Sequence, residues 1–228
     1  MQRRKSKTPK QSAAAQQRRQ RLSPEVRREM ILNAAVEYFS DHGFEVQIRQ
    51  LAQAIGISPA LVFNYFETKD ELIECVYNAV FQSRWNDSWK TLVTDRTRSL
   101  ESRLIDFYRS YLATTDDRRW IRIAMRASLD GNDLTRRYLA RNVNSLLETI
   151  ALEIRAELGE SRIGKPSPEE MERVWQLHSV SIYYLVRKHI HGTQVLEERD
   201  RVAEMMVRNF FTDLRGKPAA SQRRRKAS

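Results

Sequence analysis

Cysteine is almost missing from this chain. Cys75 stands alone, which excludes an intramolecular disulfide framework and any multi-cysteine zinc site. Glycine and proline are sparse, 7 and 6 in 228 residues, too few for the turns of an all-β sandwich. No apolar run reaches the roughly 18 residues of a membrane-spanning helix. Met1-Gln2-Arg3-Arg4-Lys5 is not followed by the apolar stretch of a secretory signal. A glycine-rich phosphate loop, a nucleophile elbow and a zinc-binding H-E-x-x-H are all lacking. The reading is therefore a cytoplasmic chain with no cofactor, no metal, no membrane partner and no enzymatic activity. Scattered acids do not make a catalytic pair without geometry.

Acid is absent from both ends. Residues 1–21 hold Arg3, Arg4, Lys5, Lys7, Lys10, Arg18, Arg19 and Arg21; residues 215–228 hold Arg215, Lys217, Arg223, Arg224, Arg225 and Lys226. The net charge is +11, so removing these tails leaves the body at −3. Without aromatics, and rich in Ser, Ala and Gln, the tails are expected to be disordered when free. They attract polyanions, nucleic acid or an anionic membrane surface; plain solubility or no role at all is the other reading.

Helix signals dominate what lies between. Ser23-Pro24-Glu25 supplies an N-cap, a first-turn proline and an acid. Val26, Met30, Ile31, Ala34, Ala35, Tyr38 and Phe39 then share one helical face, and Gly43 ends the helix. A second helix is predicted over about 48–55 and a third over 59–66 behind Ser58-Pro59. A fourth, roughly 69–93, opens at the capping box of Thr68 and Glu71. Helical spacing continues through about 98–114, 118–129, 134–158, 168–190 and 197–214, with a loop at 159–167. No strand or internal repeat is legible. The fold class is all-α, with about nine helices.

Residues 48–66 have helix-turn-helix spacing. Gly56 permits the turn, Ile57 plugs the junction, and the second helix offers its N-terminal outer face to a major groove. Short helix pairs also occur in ordinary all-α cores. The surrounding run carries Ala34-Ala35, Phe39, Gly43-Phe44, Leu51-Ala52, Gly56-Ile57-Ser58, Phe63, Tyr65-Phe66, Lys69 and Leu72. Over about residues 24–80 it resembles the DNA-binding domain of TetR-family transcriptional regulators. The runs SRWNDSWKTL and WQLHSVSIYYLVRKHIHG look like one branch of that family.

The resemblance implies a homodimer that binds a palindromic operator in double-stranded DNA, acting as a repressor released by a small-molecule effector. It implies a helix-turn-helix domain at 23–68 and an effector-binding and dimerisation domain at 69–214, which the disordered basic arm at 1–22 and basic tail at 215–228, read from charge, flank. Carried over by position, Ser58, Pro59, Ala60 and Asn64 face the groove, and Tyr65 and Lys69 hold phosphate. Arg49 can reach phosphate or a guanine edge. Three departures stand out. Phe63 replaces the usual phosphate-binding Tyr, Gln47 replaces the usual capping Thr near the backbone, and the approach to the second helix is one residue shorter. The segment 23–72 carries a net charge of −4, so positive charge has to come from elsewhere, and the arm joins it directly.

In the larger domain, Tyr111, Trp120, Trp175 and His178 are candidate effector contacts, with ordinary core packing as the alternative. The last two helices are the expected dimer surface. His189 and His191 read as a helix C-terminus, and Cys75 as a small core residue. Two rivals to the regulator are an all-α enzyme and a nonspecific nucleic-acid binder working through its tails.

Overall fold

A computed structural model describes residues 23–216; the arm at 1–22 and residues 217–228 lie outside the described residues. Among the described residues there is no strand. The helices are α1 (Pro24–His42), α2 (Ile48–Ala54), α3 (Pro59–Phe63), α4 (Lys69–Val80), α5 (Ser88–Thr94), α6 (Leu100–Thr115), α7 (Arg118–Leu129), α8 (Leu134–Tyr138), α9 (Asn144–Glu157), α10 (Pro168–Val186) and α11 (Arg199–Gly216).

Most helix starts fall where the caps require. Ser23, Ser58, Thr68 and Ser167 each accept a backbone N–H of the first turn through the side chain, which satisfies donors the helix itself cannot. Glu170 completes the box at Ser167, its carboxylate accepting the Ser167 N–H at 2.5 Å. Arg155 grips the same carboxylate at 2.6 and 2.9 Å. That guanidinium holds Glu170 down at about 2.

The predicted helix over 69–93 is divided. α4 stops at Val80, a 3-10 turn covers Gln82–Arg84, and α5 starts at Ser88. No glycine or proline causes the break. Local side chains compete with the helical ladder instead: Asn86 accepts from the Ser88 amide at 3.0 Å, and the Trp85 indole donates to Asp87 at 3.1 Å. The predicted helix over 134–158 also changes pitch, through a π-turn at Leu139–Val143. A second π-turn, Arg187–His191, follows α10 and closes on left-handed Gly192. The basic tail begins later than expected, because Arg215 lies inside α11 and donates to Glu101 at 2.8 Å.

The core is aromatic. Trp89, Phe107 and Tyr111 meet at ring distances of 5.6–5.9 Å. α11 packs along α6, braced by Arg109–Glu204 at 3.2 Å. No helix of the described residues is long and apolar enough to cross a membrane.

Candidate nucleic-acid interface

The turn between α2 and α3 is built on the backbone. Gly56 takes φ +69°, and the Ile57 N–H returns to the Ala52 carbonyl at 2.9 Å, the six-residue closure of a Schellman turn. Ser58 Oγ accepts the Leu61 N–H at 3.2 Å, which fixes the start of α3. Leu51, Ala52, Val62 and Phe66 are buried and seat the two short helices on α1 and α4. α3 ends at Phe63, shorter than expected, but bonds from Asn64 to Ala60 and from Phe66 to Val62, both 3.0 Å, carry its turn onward.

What remains outside is one continuous face. Gln47, Arg49, Gln50, Gln53, Ser58, Pro59, Ala60, Phe63 and Asn64 are all exposed; Tyr65 and Lys69 are half-buried at its edge. The sequence-predicted DNA residues thus all remain accessible on α2, α3 and the start of α4. Gln47 caps α2 better than its residue type suggests, since the Gln50 side chain returns to the Gln47 N–H at 2.8 Å. Arg49 and Lys69 form no ion pair with any described residue, so both cations stay available to a phosphate or a base edge. Phe63 is 46% exposed, and nothing in the packing of the head calls for it there. Sequence reasoning passed over Gln50 and Gln53, and saw in Phe63 only a lost phosphate contact; the polar–apolar alternation around the turn was the available signal.

The other side of the head is a seam with α7. Arg118 and Arg122 pair with Asp41, the latter at 3.3 Å, and Arg119 pairs with Glu37 at 3.2 Å. Arg122 and Arg126 also donate to the carbonyls of Ser40 and Asp41 at 2.9 and 3.0 Å. These carbonyls form the negative end of α1, so cations there are favoured twice. Asp130, just beyond α7, accepts the Phe44 N–H at 2.7 Å. Gly43 beside it has φ +81°, and an added Cβ would sit 2.8 Å from the same Asp130 oxygen. Two of the head's eight acids, Glu37 and Asp41, therefore belong to this seam. Its −4 overstates the negative field that the reading face presents.

Asp117 ties the seam to the end of α4. It takes Arg84 and Arg119 at 2.8 Å each. Burial opposes its ionisation, but these two guanidinium groups outweigh burial and hold the carboxyl well below the usual carboxylate range. Cys75 is half-buried, with the Arg28 guanidinium 3.2 Å from its sulfur and 4.6 Å over the Phe66 ring.

Of the effector candidates, Tyr111, Trp120 and His178 are buried and Trp175 is half-buried. The structure gathers them: His178 lies 5.1 Å from Tyr111 and 5.7 Å from Trp175, and Trp120 lies 6.5 Å from Tyr111. Burial pushes His178 down to about 4 and pushes the Tyr108 and Tyr111 hydroxyls up. His178 Nδ1 and Tyr108 Oη are buried without a hydrogen-bond partner among the described residues.

Residues 31–76 match the family model described as bacterial regulatory proteins, tetR family. Over 42 residues the chain is 48% identical to the HTH-type transcriptional regulatory protein RaaS of Mycobacterium tuberculosis, a match that spans 18% of this chain and 20% of that protein. The fold is similar to that of a TetR-like transcriptional regulator from Rhodococcus sp. RHA1, with TM-score 0.66 and 19% identity over 86% of this chain and 100% of the other. It is also similar to the TetR-family regulator PfmR from Thermus thermophilus, with TM-score 0.58 and 15% identity over 83% and 99%.

Proposed function

The chain is a member of the tetR family of bacterial regulatory proteins by its residues 31–76, and from that premise we propose a sequence-specific, non-enzymatic regulator that binds a palindromic operator as a homodimer. The observation that carries the reading is the exposed face of α2 and α3. It combines one unpaired arginine, Arg49, with the amides Gln50, Gln53 and Asn64 and the apolar Pro59, Ala60 and Phe63. Amides suit adenine edges, apolar groups suit thymine methyls, and arginine suits guanine or phosphate. Lys69 and Tyr65 at the rim are the phosphate contacts in this reading.

Support for the dimer comes from α10 and α11. Val180, Tyr183 and Met205 are 48%, 59% and 51% exposed and line one apolar groove of about 500 Å³. A second copy related by two-fold symmetry would cover it, and the operator would mirror that symmetry. For the effector, the cluster of Tyr111, Trp120, Trp175 and His178 remains the proposed core contact, because His178 Nδ1 within it and the hydroxyl of Tyr108 beside it, ring to ring at 6.1 Å, are both left for a ligand. Release of the operator by that effector, and hence repression, follows as part of the same proposal.

The test is selection of bound sequences from random double-stranded DNA by the full chain, repeated without residues 1–21 and 217–228. Recovery of an inverted repeat in both selections is expected, with weaker binding in the second. Asymmetric single sites bound by a monomer, or loss of all sequence preference without the tails, would overturn the reading.

A further inference from the structure

A cleft of about 830 Å³ opens between α4, the 3-10 turn, α5 and the π-turn that precedes α9. None of the four core candidates lines it. Its walls carry three cations, Lys90, Arg137 and Arg141, and two carboxylates, Glu74 and Asp87. The carboxylates are already engaged. Glu74 pairs with Arg137, and Asp87 accepts the Trp85 indole N–H at 3.1 Å. Arg137 is shared further with Asp133 at 3.1 Å. Lys90 and Arg141 pair with no carboxylate of the described residues, so the cleft keeps unpaired positive charge.

The position of Arg141 follows from the backbone. Arg137, Arg141 and Ser145 are spaced by four residues and line one wall. The π-turn Leu139–Val143 runs through that wall, and such single turns recur at functional sites because the extra residue re-aims the side chains around it. Tyr77, Arg137 and Arg141 all line the same opening. Tyr77 and Trp85 supply an apolar floor. Behind them Tyr138 stands 6.0 Å from Trp85 and 5.1 Å from Phe81, and Phe81 stands 5.6 Å from Trp120.

We propose that this cleft binds an organic anion, with an aromatic or alicyclic body on Tyr77 and Trp85 and its carboxylate, sulfonate or phosphate on Arg141 and Lys90. The volume lies within the range of small-molecule sites, roughly 300–1,000 Å³. A planar guanidinium beside an ammonium suits an oxyanion, whereas a neutral ligand would leave both cations unanswered. Binding itself does not rest on the regulator reading; only its consequence for DNA does.

The probe pair is 1-anilinonaphthalene-8-sulfonate and N-phenyl-1-naphthylamine, which share their ring systems and differ by the sulfonate. Both are titrated by fluorescence into the full chain without DNA. The sulfonate is expected to bind at least tenfold more tightly than the neutral amine. Arg141→Gln and Lys90→Gln should each weaken it about fivefold or more while leaving the amine unchanged, with circular dichroism and thermal midpoint as controls on the fold. Equal affinity for the two probes, no binding of the sulfonate, or sulfonate binding indifferent to both substitutions would overturn the proposal; the last outcome would place the dye on the apolar groove of α10 and α11. Operator affinity is then measured with the sulfonate present. Dye binding that leaves the operator untouched would separate this cleft from control of DNA binding and leave the proposed anion site standing.

Discussion

The reading face of α2 and α3 and the seam between α1 and α7 belong to the same small head, yet they treat charge in opposite ways. At the seam, Arg118, Arg119, Arg122 and Arg126 all meet acids or carbonyls of α1. On the reading face Arg49 forms no ion pair with any described residue, and Gln53 and Asn64 are exposed beside Gln50, whose Oε1 accepts the Gln47 N–H. Internal pairing on one side and an unpaired arginine on the other separate the surface that holds the fold from the one proposed for DNA. Exposure alone would not separate them, since Arg118 and Arg119 are also about half exposed.

The seam can be broken at one atom. Gly43→Ala adds a Cβ against Asp130 in a backbone region nearly closed to other residues, and it displaces the acceptor of the Phe44 N–H. A loss of about 2–4 kcal/mol in urea unfolding is expected, with operator affinity per folded molecule nearly unchanged. An equal fall in operator affinity would show that seam and reading face are one unit.

Acid sharpens the comparison. His178 has its folded value lowered to about 4 from 6.5, so the unfolded chain takes the proton first. Stability is then lost as pH falls from about 6.5 to about 4, by roughly 3 kcal/mol in full, and is fully present above that window. Asp117, held below 3.8, stays ionised throughout it, so its pairing with Arg84 and Arg119 should persist while the body weakens. Chemical denaturation across this pH range checks the slope, and His178→Gln should flatten it.

Arg49→Ala tests the reading face directly. A base contact predicts a loss of about 1–3 kcal/mol and a relaxed preference at one operator position. A phosphate contact predicts uniform weakening and a shallower dependence on salt. An unchanged titration would move recognition elsewhere. The smallest effect concerns Phe63. If its ring covers a thymine methyl, replacing that thymine by uracil in the operator should cost about 0.8 kcal/mol, and Phe63→Ala should abolish the sensitivity. Equal sensitivity in both proteins would assign the methyl contact to another residue.

The helix starts were legible because Ser23-Pro24, Ser58-Pro59, Thr68 with Glu71 and Ser167 with Glu170 act within a few residues of themselves. The reading face was legible for the same reason, since the turn at Gly56 dictates which neighbours point outward. The break in 69–93 was not, because no glycine or proline marks it: the chain leaves α4 at Val80 through a 3-10 turn, and side chains of Asn86 and Asp87 bond at the restart before Ser88. The seam was hidden by distance along the chain. Nothing in the spacing of the α7 arginines says that Glu37 and Asp41, some eighty residues earlier, are their partners. For that reason the count of −4 over 23–72 misjudged the field at the face. The cleft was missed because its cations converge from α5, from α8 and from a π-turn that periodicity reads as ordinary helix.

The pairing of α6 with α11 has a consequence for the order in which a ribosome delivers this protein. The head and α7, with every partner of the seam, are complete once residue 130 has emerged. One side of α6 must wait for α11, which begins at Arg199. At about 5–20 residues per second, that interval of roughly 70 residues lasts about 4–14 s. Throughout it the nascent chain carries a finished head on an unfinished body, with the side of α6 that carries Glu101 and Arg109 still without its α11 partners Arg215 and Glu204, and this is the stage at which a chaperone has most to hold.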